Sequence, residues 1–131
     1  MTVVVGYIPT PEGEAALTAA IEQAGRREEP LHVVNAGHGD TTRDERFLGE
    51  LEVEVLDSRL ESAGVEHRVQ QLVRGKEPAE ELLETARRLD ASMIVIGIRR
   101  RTPTGKLLFG SQAQRILLDA DCPVLAVKAA R

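Results

Sequence analysis

Apolar residues fall along this chain in two alternating patterns, short unbroken runs and longer stretches with helical spacing. Thr2 to Tyr7 (TVVVGY), Leu31 to Asn35 (LHVVN), Met93 to Gly97 (MIVIG) and the run led by Pro123 (PVLAVK) are short and rich in β-branched residues, and each predicts a buried strand. Val65 to Val73 alternates through Val65, His67 and Val69, which predicts a half-exposed edge strand. Between the runs lie helical stretches. Thr10 is a good N-cap, Pro11 suits the first helical position, and Leu17, Ala20, Ile21 and Ala24 then recur on one face, with Gly25 as the expected stop. Thr42 to Ala63 reads as a long helix whose apolar stripe is Leu48, Leu51, Val55, Leu56, Leu60 and Ala63, ended by Gly64. The acidic residues interleaved with it read as its solvated face. A third helix starts near Pro78, with Glu80 and Glu81 in its first turn, Ala79, Leu82, Leu83, Ala86 and Leu89 on its buried face, and Arg87 and Arg88 at its end. A fourth opens at Gly110-Ser111.

Five strands alternating with four helices imply an α/β fold in which a mostly parallel sheet is covered on both faces, a three-layer α/β/α architecture. The 131 residues suffice for one domain, 1–131, with a real core. Tyr7, Phe47 and Phe109 are the only aromatics, so that core is aliphatic, and stacking platforms for single-stranded nucleic acid are absent. A net charge of -4 also argues against nucleic acid as a partner. No apolar run approaches the roughly 20 residues of a membrane span, and the N-terminus lacks a signal-peptide pattern. The single cysteine, Cys122, excludes an internal disulfide and fits a reducing cytoplasm, where it reads as a small apolar residue at a strand start. His32 reads as a structural histidine. His38 and Asp40 have no companions at metal-ligand spacing.

The chemistry concentrates in the loop from Ile98 to Phe109, which carries Arg99, Arg100, Arg101 and Lys106. It leaves a strand and enters a helix through Gly110-Ser111, where free backbone N–H groups and the positive end of a helix dipole suit a phosphate. Guanidinium groups beside that helix start add charge-assisted donors, although a solvated basic loop accounts for them equally well. Ser111 has two readings, phosphate donor and helix N-cap. The loop is not a Walker A motif, because Arg100 and Leu107 stand where that motif needs Gly and Ser or Thr. No dinucleotide fingerprint follows the first strand, and no nucleophile–base–orienter set supports hydrolytic catalysis.

The stretch Met93 to Lys128 resembles the C-terminal signature of the universal stress protein family. Members that bind ATP show Gly, two residues, Gly, nine residues, Gly, then Ser or Thr, and Gly97, Gly110 and Ser111 fall on that spacing, with Arg100 at the second glycine. The Pro78-Ala79-Glu80 helix start, the Asp90-Ala91 turn and the last strand after Asp121 also resemble the family. The resemblance implies an adenine-nucleotide-hydrolase-like, Rossmann-like sheet with strand order 3-2-1-4-5. Ligands in such sheets bind where the order reverses, between the loops after strands 1 and 4. It also implies an adenine contact at Val33, ribose and phosphates over Ile96 and Gly97, and phosphate held by Gly110, Ser111 and the Gln112 N–H. An Asp contacts the nucleotide after the first strand in that family; Ile8 occupies the position here. Ile8 and Arg100 together imply a weakened ATP site, with Mg²⁺ arriving only with the nucleotide. The alternative is a nucleotide-independent interaction module of the same fold. The apolar last strand resembles the one through which family members pair as homodimers.

Overall fold

The computed structural model describes residues 1–36, 47–72, 76–99 and 110–129. The elements alternate as β1 (Thr2–Gly6), α1 (Pro11–Arg27), β2 (Leu31–Ala36), α2 (Glu50–Ser62), β3 (His67–Leu72), α3 (Pro78–Arg88), β4 (Ala91–Ile98), α4 (Ser111–Asp119) and β5 (Val124–Lys128). The five strands form one sheet in the order β3-β2-β1-β4-β5, and every neighbouring pair is parallel. This is the order that the family resemblance implies. Val3 and Val5 of β1 face a core shared with α1 and α2, while Val4 faces a second core shared with α3 and α4. A strand buried on both faces must be apolar at successive positions, hence the unbroken VVV of β1.

The helix ends follow local chemistry. Thr10 caps α1, its Oγ1 accepting the Gly13 N–H at 3.1 Å. The helix does not stop at Gly25 as expected. It continues to Arg27 and closes on Glu28, which takes a left-handed φ of 54° while its N–H reaches back to the Ala24 and Gly25 carbonyls.

The long helix expected from Thr42 is corrected at its start. Phe47 to Gly49 lie outside any helix, α2 begins at Glu50, and residues 42–46 lie outside the described residues. Gly49 is the N-cap, and its N–H donates to Glu52 Oε1 at 3.1 Å. The expected stripe also splits. Leu56 and Leu60 are buried with Val53 packed beside them, but Leu51 is 72% exposed and Val55 54%. At 3.6 residues per turn, Val53, Leu56 and Leu60 share one face, and Leu51 and Val55 lie opposite it. Leu48 is buried as predicted, but from the segment before the helix.

β3 is a sheet edge, as its alternation predicts, and His67 ties it to α2. His67 Nδ1 lies 2.8 Å from the Val65 carbonyl oxygen, and Nε2 lies 2.7 Å from Asp57 Oδ1. Both partners only accept, so the protonated ring satisfies both and the neutral ring only one. Burial lowers its pKa, but the Val65 carbonyl and the Asp57 carboxylate outweigh burial, and the net direction is upward from 6.5. A raised folded pKa adds stability that is full below about pH 6.5 and is lost as pH rises through the folded value. Asp57 is well exposed, which limits the pair to about 1 kcal/mol or less. The melting temperature of the wild type should therefore fall by roughly 3 °C more than that of His67→Gln between pH 6 and pH 8.5. Equal pH slopes for the two proteins would remove this role.

His32 is a structural residue. Its Nε2 meets Gln70 Oε1 at 2.7 Å, and burial, which outweighs that contact, moves its pKa down. Cys122 is half-buried with a free thiol. No helix among the described residues is long and apolar enough to cross a membrane.

Candidate functional site

The strand order reverses between β1 and β4, so the connections that leave these two strands diverge to opposite faces of the sheet. The gap between them is a cleft of about 150 Å³. Ile8, Val34, Ala36, Leu82, Ile96 and Ile116 give it apolar walls, and Gly6 and Gly97 line it with backbone. Pro78 and Ala79 at the start of α3 and Gln112 and Ala113 at the start of α4 close its other side.

Close backbone packing shapes the cleft. The first turn of α1 lies directly on β4, and a Cβ on Gly97 would stand 2.1 Å from the Glu12 carbonyl oxygen. A Cβ on Gly13 would stand 1.8 Å from the Ile8 carbonyl oxygen. Both positions therefore need glycine for space. Gln112 joins the two helix starts on the far wall: its Oε1 accepts the Ala79 N–H at 2.9 Å and its Nε2 donates to Glu77 Oε2 at 2.8 Å.

Four of the eight predicted site residues, Ile8, Ile96, Gly97 and Gln112, line this cleft. Val33 does not. It is fully buried in the core on the α1 and α2 side, and its neighbour Val34 faces the cleft. Successive strand residues point to opposite faces, so a shift of one position changes the side. Gly110 and Ser111 stand at the start of α4 and do not line the cleft. Gly110 is the N-cap and Ser111 the first helical residue, so the N-cap reading of Ser111 is corrected. Arg100, most of the basic loop, and His38 and Asp40 lie outside the described residues.

Three features were not anticipated from the sequence. The first is Glu12, the one charged lining residue among those described. Its Oε1 lies 3.9 Å from Nε of Arg99, whose side chain is 84% exposed.

The second is Asn35, fully buried at the end of β2. Its Nδ2 donates to the Tyr7 carbonyl at 2.9 Å, and its Oδ1 accepts from the Leu48 N–H at 2.9 Å and Gln71 Nε2 at 3.1 Å. A lone amide inside LHVVN was the available signal, since a buried polar group needs partners.

The third is a network beside the cleft. The Tyr7 hydroxyl donates to Glu14 Oε1 at 2.5 Å, and Arg59 donates to both Glu14 oxygens at 3.2 and 2.8 Å. Burial and the Glu14 carboxylate push the Tyr7 phenol up to about 12, and the Arg59 guanidinium holds the Glu14 carboxyl below its usual range. This ties β1, α1 and α2 together. It depends on residues distant in sequence and has no local signature.

Chemically, the cleft offers an apolar slot with backbone at its floor, one carboxylate and one carboxamide. That composition suits a flat, largely apolar ligand with a few polar groups at fixed positions.

Comparison with known proteins agrees with this geometry. Residues 1–128 match the model of the Universal stress protein family. A universal stress protein of Mycolicibacterium smegmatis is 48% identical over 126 residues, covering 96% of each chain. A solved universal stress protein from Archaeoglobus fulgidus superposes with a TM-score of 0.83 at 36% identity, covering 98% of each chain. Another from that organism, solved in complex with dAMP, gives a TM-score of 0.71 at 31% identity over 98% of each chain.

Proposed function

The chain belongs to the universal stress protein family, and on that premise we propose that it binds an adenine nucleotide weakly in the cleft between β1 and β4. The observation that carries this reading is the cleft itself. It is apolar, it lies where the strand order reverses, and Gly97 on its floor lets the first turn of α1 pack onto β4 beside it. The dAMP complex of the Archaeoglobus fulgidus relative supports an adenine nucleotide as the ligand class.

The base fits among the apolar side chains, and the phosphates extend toward the start of α4, with Gly110, Ser111 and the Gln112 N–H as their partners. Mg²⁺ enters only with those phosphates. Two residues weaken the site. Ile8 offers no hydrogen bond where the family carries Asp, and Arg100 replaces a glycine that would let backbone N–H groups approach the phosphates. ATP should then bind with a dissociation constant on the order of tens of micromolar or worse, about -6 to -7 kcal/mol. Calorimetric titration tests this. Arg100→Gly should tighten ATP binding, and adding Ile8→Asp should tighten it further. If the wild type binds below micromolar and Arg100→Gly abolishes binding, Arg100 is the phosphate ligand and the blocking role is wrong.

The setting we propose is a regulatory, non-catalytic role in a cytoplasmic stress response, carried by a homodimer. β5 is a sheet edge whose Val124, Leu125, Ala126 and Val127 are half-buried in a single chain. An apolar edge is a pairing surface. A second copy pairing there antiparallel about a two-fold axis would cover it. Sedimentation equilibrium at micromolar concentration should give twice the single-chain mass, and a single-chain mass would defeat the dimer. Ile8 in place of Asp, together with Arg100 in place of the second glycine, favours a second reading, a dimeric interaction module of this fold that works without nucleotide.

A further inference from the structure

Glu12 is the second residue of α1, and its backbone carbonyl packs against Gly97 on the cleft floor. Its side chain is 20% exposed and lines the cleft. Its ion pair with Arg99 is long, at 3.9 Å, and the guanidinium stands mostly in water. Such a pair contributes little and leaves the carboxylate oxygens able to accept from a ligand. The other polar lining residues are already bonded, Gln112 to Ala79 and Glu77 through its oxygen and its nitrogen, and the Tyr7 hydroxyl to Glu14.

A carboxylate accepts hydrogen bonds and donates none. Its two oxygens can accept side by side from a pair of adjacent donors, and it repels a phosphate placed next to it. The ligand part beside Gly97 must therefore be neutral and carry paired donors. Within a nucleotide, that part is the ribose with its 2′ and 3′ hydroxyls. We infer that Glu12 is a specificity-determining residue that accepts from the vicinal hydroxyls of a bound ribose and turns the phosphates toward α4. This rests on the nucleotide reading above. It adds a polar contact from the first turn of α1, one turn beyond Ile8.

Calorimetric titration with adenosine and with 2′,3′-dideoxyadenosine tests it, using the wild type, Glu12→Ala and Glu12→Gln, each checked for folding by thermal melting. The wild type should prefer adenosine by about tenfold, the scale of hydrogen bonds to a charged group. Glu12→Ala should bring the two ligands within about twofold of each other, and Glu12→Gln, which keeps one acceptor oxygen, should fall between. A Glu12 that only stabilises the α1 start would lower the melting temperature of Glu12→Ala without moving the ratio. Equal wild-type affinity for the two ligands, or an unchanged preference in Glu12→Ala, overturns the inference and leaves the cleft reading intact. Failure of every adenine compound to bind overturns both.

Discussion

Replacing Gly97 with alanine should destabilise the domain by about 3 kcal/mol or more, near the upper range for forcing extra atoms into a packed site. The new Cβ would stand 2.1 Å from the Glu12 carbonyl oxygen and 2.5 Å from its carbon. Both are backbone atoms, so no side chain can swing aside. The first turn of α1 cannot retreat easily either, since Thr10 caps it through Gly13 and the Gly13 Cα already lies against the Ile8 carbonyl. For a chain of this size the melting temperature should drop by roughly 10 °C. Gly110→Ala is the control. Among the described residues a Cβ there meets nothing within 4 Å, so its cost should stay at or below about 1 kcal/mol, the scale of placing alanine at an N-cap. A Gly97→Ala protein that melts within 2 °C of the wild type, a threshold of about 0.5 kcal/mol, would show that α1 does not rest on β4 as described.

Asn35→Leu should cost about 3 kcal/mol, although leucine is close to asparagine in size. The substitution removes the acceptor of the Leu48 N–H and the donor to the Tyr7 carbonyl inside the protein. Each buried group left without its partner costs about 1–3 kcal/mol. The loss is also directional, because Asn35 joins the end of β1 to the segment entering α2. Chemical denaturation gives the magnitude, and hydrogen exchange at the Leu48 amide locates it, with faster exchange expected there. A cost below about 1 kcal/mol with unchanged Leu48 exchange would mean that this amide does not hold the segment.

These two residues show what was legible in the chain. The strands were readable because β1, β2 and β4 are buried on both faces and so are largely apolar at successive positions. The strand order was not in the periodicity; it came from the spacing Gly97, Gly110, Ser111 that resembles the family, and the sheet has that order. The phase of α2 was misread because Leu51 and Val55 form an equally apolar stripe opposite the buried one, and only packing selects between them. Gly97 was read as a phosphate residue, while its packing against Glu12 appears only when α1 is laid on β4. Glu12 stands in the first turn of α1, where a carboxylate is ordinary, and its distance from Gly97 in sequence hides their contact in space.

We propose that an adenine nucleotide occupies the cleft between β1 and β4. The most direct measurement is a nuclear magnetic resonance titration of isotope-labelled protein with ATP through the micromolar to millimolar range. Saturable shifts are expected at the amides of Ile8, Gly97, Ala79 and Ala113, fitting a dissociation constant on the order of tens of micromolar or more. No shifts at millimolar ATP, or saturable shifts confined to residues away from this cleft, would contradict it.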